Sequence, residues 1–141
     1  MKRFLLIFTL IISGCLVSCS SDDDDGPVAK DKIIGKWQIS KEYFAGIEIP
    51  LTECDLQMTI EFFENETYIE KDFELDEDDA CVAFPAVNGT WEYLGDSMYF
   101  LSDIGIESIE VQFSGNTMTA IISETIEGVT IEARIVFTKV S

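Results

Sequence analysis

The sequence contains no histidine, and the residues that could do chemistry in its place include four cysteines and twenty-seven carboxylates. That absence removes the commonest general base, the usual activator of serine and cysteine nucleophiles, and the commonest metal ligand. Triads of the ordinary kind and zinc sites built on histidine are excluded. Paired carboxylates can hydrolyse a glycoside. The candidates Glu61, Glu92, Glu110 and Glu132 sit in alternating segments that place them mostly on the outward face. The run Asp76 to Asp79 offers oxygen atoms of the kind calcium takes, yet it lacks the spacing, central glycine and terminal glutamate of an EF-hand. It reads as a solvated loop. The sequence therefore predicts no catalytic residue, no metal and no cofactor.

The cysteines carry more information. Lys2 and Arg3 precede an apolar run from Phe4 to Ile12, broken only by Thr9, and small residues follow. This is the three-part order of an export signal, and the run is shorter than the ~20 residues that span a bilayer. Leu16-Val17-Ser18-Cys19 resembles the lipobox of bacterial lipoproteins. The resemblance implies a signal peptide over residues 1–18 and a lipid on Cys19, which becomes the mature amino terminus. Ile12-Ser13-Gly14-Cys15 matches the same pattern. Cleavage before Cys19 leaves Cys54 and Cys81 as an even pair, whereas cleavage before Cys15 strands an odd thiol in an oxidising compartment. Cys19 is the expected site. Each buried methylene of an acyl chain contributes about 0.8 kcal/mol, so several chains hold the protein to its membrane effectively permanently.

Behind Cys19 come Ser20, Ser21 and the block Asp22 to Asp25. Like charges repel, so the block works as an extended spacer. It also resembles the surface-export signal of lipoproteins in some Gram-negative lineages, which implies an outward-facing position on the outer membrane. The full chain carries a net charge of −18, and loss of Lys2 and Arg3 with the leader makes that −20. Only seven scattered Lys and Arg remain. A domain this acidic repels phosphate backbones, so nucleic acid is excluded as a partner.

Residues 19–32 form the lipid-bearing linker, and residues 33–141 are enough for one domain with a core. The chain's ten Phe, four Tyr and two Trp, all but Phe4 and Phe8 in this stretch, argue against disorder there. From Ile33 onward the apolar residues recur with period two. Val129, Ile131, Ala133, Ile135 and Phe137 share one face. Leu56, Met58, Ile60 and Phe62 do likewise, as do Met118, Ala120 and Ile122, and Ile109, Val111 and Phe113. Turn signals at Glu64-Asn65, Asn88-Gly89, Gly95-Asp96, Gly115-Asn116 and Glu127-Gly128 separate these runs. The pattern predicts eight strands, at 35–45, 56–64, 67–74, 89–94, 97–102, 106–114, 117–124 and 128–140. An antiparallel meander of eight closes most simply into an all-β, up-and-down barrel, which also removes exposed edges. Two longer connections, 46–55 and 75–87, hold Cys54 and Cys81. A disulfide joining them is expected, with two free buried thiols as the alternative.

Gly35-Lys36-Trp37 opens a series of motifs that resembles the lipocalin-like domain of small bacterial lipoproteins. Cys54, the hairpin Phe62 to Tyr68, Cys81, Gly89-Thr90-Trp91 and the closing Phe137-Thr138-Lys139 follow in the same order. The resemblance covers roughly residues 33–141. It implies a barrel whose floor is closed by Trp37, often under an arginine from the last strand. Arg134 is the one arginine of the mature chain, and its alternation places it opposite the apolar set. The chain is short for the family's animal members, so any cavity should be small.

An eight-stranded barrel is just wide enough to fill with its own side chains or to hold one small ligand. The residues expected to point inward are Trp37, Met58, Ile60, Phe62, Trp91, Met98, Phe100 and Met118. They are either a continuous core or the walls of an apolar cup, since Met and aromatic side chains suit both. A carrier of a small apolar molecule and a filled platform for a protein or glycan partner follow from the two readings.

Overall fold

The computed structural model describes residues 30–102 and 108–140. The leader, Cys19 and most of the linker lie outside the described residues, as does the expected start of a strand at 106. Among the described residues eleven strands form: β1 (Gly35–Phe44), β2 (Ile47–Ile49), β3 (Thr59–Phe62), β4 (Thr67–Lys71), β5 (Phe73–Leu75), β6 (Cys81–Ala83), β7 (Val87–Gly95), β8 (Met98–Leu101), β9 (Ile109–Ser114), β10 (Thr117–Ile126) and β11 (Val129–Lys139). Eight of them pair antiparallel in the order β11-β10-β9-β8-β7-β4-β3-β1, and β1 returns to β11 to close the barrel.

Closure depends on an irregularity in β1. Ile39 pairs with Phe137 and Lys41 with Val136, so Ser40 is an extra residue. Its hydroxyl donates to the Val136 carbonyl at 3.0 Å, which satisfies the bulge. The bulge lets one strand serve two neighbours. Gly35 to Gln38 pair with β3, while Glu42 to Phe44 pair with the short β2. It also exchanges faces: Ile39 points inward before it, and Glu42 lies opposite Ile135 after it.

At one end of the barrel the strands join through tight turns. Asp96 and Ser97 both have positive φ between β7 and β8, the geometry of a two-residue hairpin loop. At the other end β10 and β11 join through an equally tight loop at Glu127 and Gly128, but the connections from β1 to β3 and from β4 to β7 are built up. Thr52 and Asp55 bond reciprocally, the Thr52 amide and hydroxyl donating to Asp55 Oδ2 at 2.7 and 2.9 Å and the Asp55 amide to Thr52 Oγ1 at 3.1 Å. This box starts a single 3-10 turn over Asp55–Gln57. Leu56, expected in a strand, lies in that turn and is exposed. The connection expected to be irregular over 75–87 contains β6, paired with β5 as a separate ribbon. Asp76 Oδ1 accepts from the amides of Asp78 and Ala80 at 2.9 and 2.8 Å, so the first aspartate of the acidic run shapes the turn. Cys54 and Cys81 form a disulfide, with Cα atoms 5.5 Å apart, tying the 3-10 turn to the ribbon.

Candidate functional site: a cavity above an aromatic floor

The interior divides along the barrel axis. At the end with tight turns the inward residues are aromatic: Trp37, Phe62, Tyr68, Trp91 and Tyr99 are buried, and Phe113 packs against them. Ring centroids lie 5.8 Å apart for Trp37 and Phe113, 6.3 Å for Trp91 and Tyr99, and 6.3 Å for Phe62 and Trp91, which meet edge to face. Every polar tip in this layer has a partner. Trp37 Nε1 donates to the Ile33 carbonyl at 2.7 Å, and Trp91 Nε1 to the Phe63 carbonyl at 3.1 Å. The Tyr68 hydroxyl donates to the Ser102 carbonyl. Tyr99 donates to Asp31 Oδ1 at 2.8 Å, and Asp31 Oδ1 also accepts from the Ile33 amide at 3.0 Å. Burial, then the Asp31 bond and charge, push the Tyr99 pKa upward and keep it a donor. Asp31 thereby folds residues 31–34 under the barrel as a plug, with Ile33 1 % exposed.

The floor cation differs from the one the resemblance implied. Lys139 Nζ sits 5.0 Å from the Trp37 ring centroid and donates to the Ile34 carbonyl at 2.9 Å. Arg134 is elsewhere, over the Tyr43 ring at 5.1 Å and paired with Glu132 at 3.1 Å. Either cation favours an aromatic face. Lys139 takes the Trp37 position because it falls directly opposite Trp37 in the β1–β11 register.

Above Ile33 the inward side chains become aliphatic and the barrel is not filled. A cavity of about 190 Å³ remains. Met58, Ile60 and Phe62 bound it from β3 and the residue before it. Met118, Ala120 and Ile122 bound it from β10, with Ile135 and Phe137 from β11. Ile109 and Val111 of β9 and Leu101 of β8 complete the apolar wall. The volume is below the ~300–1,000 Å³ of pockets for drug-sized ligands. It exceeds the ~150 Å³ of an engineered apolar cavity that accepts benzene.

Of the eight residues expected to line a cup, Met58, Ile60, Phe62 and Met118 do so. Trp37 and Trp91 are buried in the floor beneath it. Met98 and Phe100 correct the expectation: they are only partly buried, and Tyr99 and Leu101 occupy the inward side of β8. Met-Tyr-Phe-Leu is apolar on both faces, so alternation alone could not choose. The bulge at Gly95, which pairs with Met98 directly after Tyr93 pairs with Tyr99, sets the register.

Ile33, Leu101 and Glu70 line the chamber although no inward set read from the sequence held them, and of the three only Glu70 is charged. Glu70 on β4 points inward beside Ile60 of β3 and Val87 of β7. It is half-buried, and desolvation, with the nearby charge of Asp72, raises its pKa. Its phase with Tyr68 was the available signal, two residues on along the same strand. The glutamates weighed for catalysis, Glu61, Glu92, Glu110 and Glu132, do not line the cavity. Among the described residues no three Cys, Asp or Glu side chains are grouped to hold a metal ion.

A small closed barrel with a filled aromatic floor and an apolar chamber above it defines a ligand-binding type of fold. Residues 33–120 match the family model of the lipocalin-like domain, and the chain belongs to that family. No curated protein matches it.

Proposed function

We propose that this protein is a lipid-anchored binding protein of the cell envelope that holds a small apolar molecule in its barrel. The observation that carries the reading is the apolar cavity of about 190 Å³ within a family whose fold is a binding fold. Two further features support it. The cavity walls come from strands locked in a continuous ladder, so the chamber is largely preformed. The disulfide fixes the 3-10 turn and ribbon at the end where the connections are long. A completely filled platform describes only the floor half of the interior.

The leader and Cys19 support attachment to the outer membrane through an acyl group, and Asp22 to Asp25 support an outward-facing position. The proposed partners are thus the membrane, through the lipid, and one small apolar ligand. Neither an enzymatic step nor a cofactor is part of the proposal.

Ligand-observed NMR with toluene tests the binding reading. The protein should give saturation transfer to toluene, and Ala120→Phe, which fills the chamber, should abolish it while circular dichroism keeps the parent's β signature. Transfer that survives the filled variant would reject the cavity as the site. Mass spectrometry of the amino-terminal peptide from native membranes tests the anchor; an unmodified Cys19 thiol would contradict it. Replacing Asp22 to Asp25 with alanine and digesting intact cells tests the address, and unchanged accessibility would reject it.

A further inference from the structure

The chamber is apolar with one exception. Of its thirteen lining residues twelve are hydrocarbon or thioether side chains, and the thirteenth is Glu70. A carboxylate placed there loses hydration, which is unfavourable unless a partner replaces the lost water. The described residues supply none. Their two ion pairs, Lys30 with Glu64 and Arg134 with Glu132, leave Glu70 out, and its side chain has no protein hydrogen bond. Lys71, next along β4, is exposed and alternates to the opposite face.

The surroundings have the same sign. An outer cleft shares Met58 and Ile135 with the chamber and is lined by Glu42, Asp55, Asp72 and Glu74, with no Lys or Arg. A second cleft, formed by Phe84, Pro85 and Val87, carries Glu70 and Asp72. Both clefts adjoin the chamber through residues they share with it. A ligand passing either one meets carboxylates before it meets the hydrocarbon wall. An anionic amphiphile such as a carboxylic acid would be repelled on the way and would end with like charges adjacent. A cation would be drawn in, and its charge-assisted hydrogen bond to a carboxylate is roughly twice as strong as a neutral one.

We propose that the chamber selects small hydrophobic amines, with the ammonium group paired to Glu70 and the hydrocarbon part in the pocket bounded by Ile60, Met118 and Ile135. This rests on the binding reading above and adds the ligand's charge class. The volume limits the buried portion to about one aromatic ring, by comparison with the ~150 Å³ cavity that accepts benzene.

The test uses the mature chain and a near-isosteric series: benzylamine, benzyl alcohol, toluene and benzoate, titrated by calorimetry and ligand-observed NMR at pH 7. Benzylamine should bind at least tenfold more tightly than benzyl alcohol, and benzoate more weakly than either. Glu70→Gln should reduce benzylamine about tenfold, to the level of the alcohol. Twenty-six other carboxylates remain in that variant of the full sequence, so a loss separates Glu70 from general attraction to an acidic surface. Toluene binding without any advantage for benzylamine would overturn the amine assignment and leave the binding reading standing. So would an advantage that survives Glu70→Gln. Failure of all four probes would overturn both. The probe series on the unaltered protein decides the ligand's charge class even if the variant does not fold.

Discussion

The two halves of this barrel follow one alternating pattern and reach opposite outcomes. In the floor, the inward positions are Trp37, Phe62, Tyr68, Trp91, Tyr99 and Phe113, and rings in mutual contact leave no space for a guest. One layer higher β3, β4 and β9, now joined by β10 and β11, present Ile60, Glu70, Val111, Ala120, Ile122 and Ile135, and a chamber remains. Large rings close the lower layer and smaller aliphatic side chains leave the upper one open. Dividing the labour this way suits a small domain. The floor supplies packing, and the upper half can stay open without threatening the fold.

The comparison can be broken most forcefully at the base. Trp37→Ala removes a side chain that is 1 % exposed and also loses the Ile33 bond and the Lys139 contact. A loss of about 3–5 kcal/mol is expected, read by urea denaturation. A much smaller loss would mean the floor is not the main stabiliser. Replacing Cys54 and Cys81 together by serine should lower stability by about 3–4 kcal/mol, with the near-ultraviolet spectrum of the floor aromatics retained at low denaturant. Gly89→Ala probes the seam between the halves. A Cβ there would lie 2.5 Å from Tyr68 Cε1 and 2.8 Å from Ser102 Oγ, the former within a side chain that is fully buried. A loss of about 1–3 kcal/mol is expected, and no loss would contradict the close approach of ring to backbone.

The smallest effect sharpens the comparison within the chamber itself. The Glu70 pKa is raised in the folded protein above its ordinary value of 4.5, with desolvation the leading cause. Ionised Glu70 therefore opposes folding at neutral pH. The opposition fades as pH falls through the folded pKa and vanishes below the unfolded one. Glu70→Gln should be more stable than the parent at pH 7, and the gain should disappear toward pH 4. Thermal melts across that range check the sign, and a gain that grows on acidification would show the charge is favourable where it sits.

How much of this was legible in the sequence follows the same division. The barrel order could be read because β9, β10 and β11 alternate cleanly, with Ile109, Met118 and Phe137 inward. Tight turns such as Gly115-Asn116 marked the joins. β8 was read as a strand but its inward face was not, because Met98 to Leu101 offers two equally apolar faces. Leu56 extended the period of β3 on paper, yet Thr52 and Asp55 form a capping box just before it and a 3-10 turn follows. That box was visible as Thr-x-x-Asp. The ribbon of β5 and β6 was hidden by the acidic run, whose aspartates read as solvated charge although Asp76 organises a turn. Glu70 was passed over because the strand at 67–74 was not divided into faces, and a carboxylate is not an expected inward residue. The chamber itself was out of reach, since the difference between a filled layer and an open one lies in summed volumes across eight strands.

The most direct measurement is diffraction from a crystal pressurised with xenon, which enters apolar cavities of this size. The account predicts one strong xenon peak inside the barrel, among Ile60, Val111, Met118 and Ile135 and above the aromatic floor. A barrel whose interior takes up no xenon, with side chains from the upper strands meeting across the axis, would contradict it.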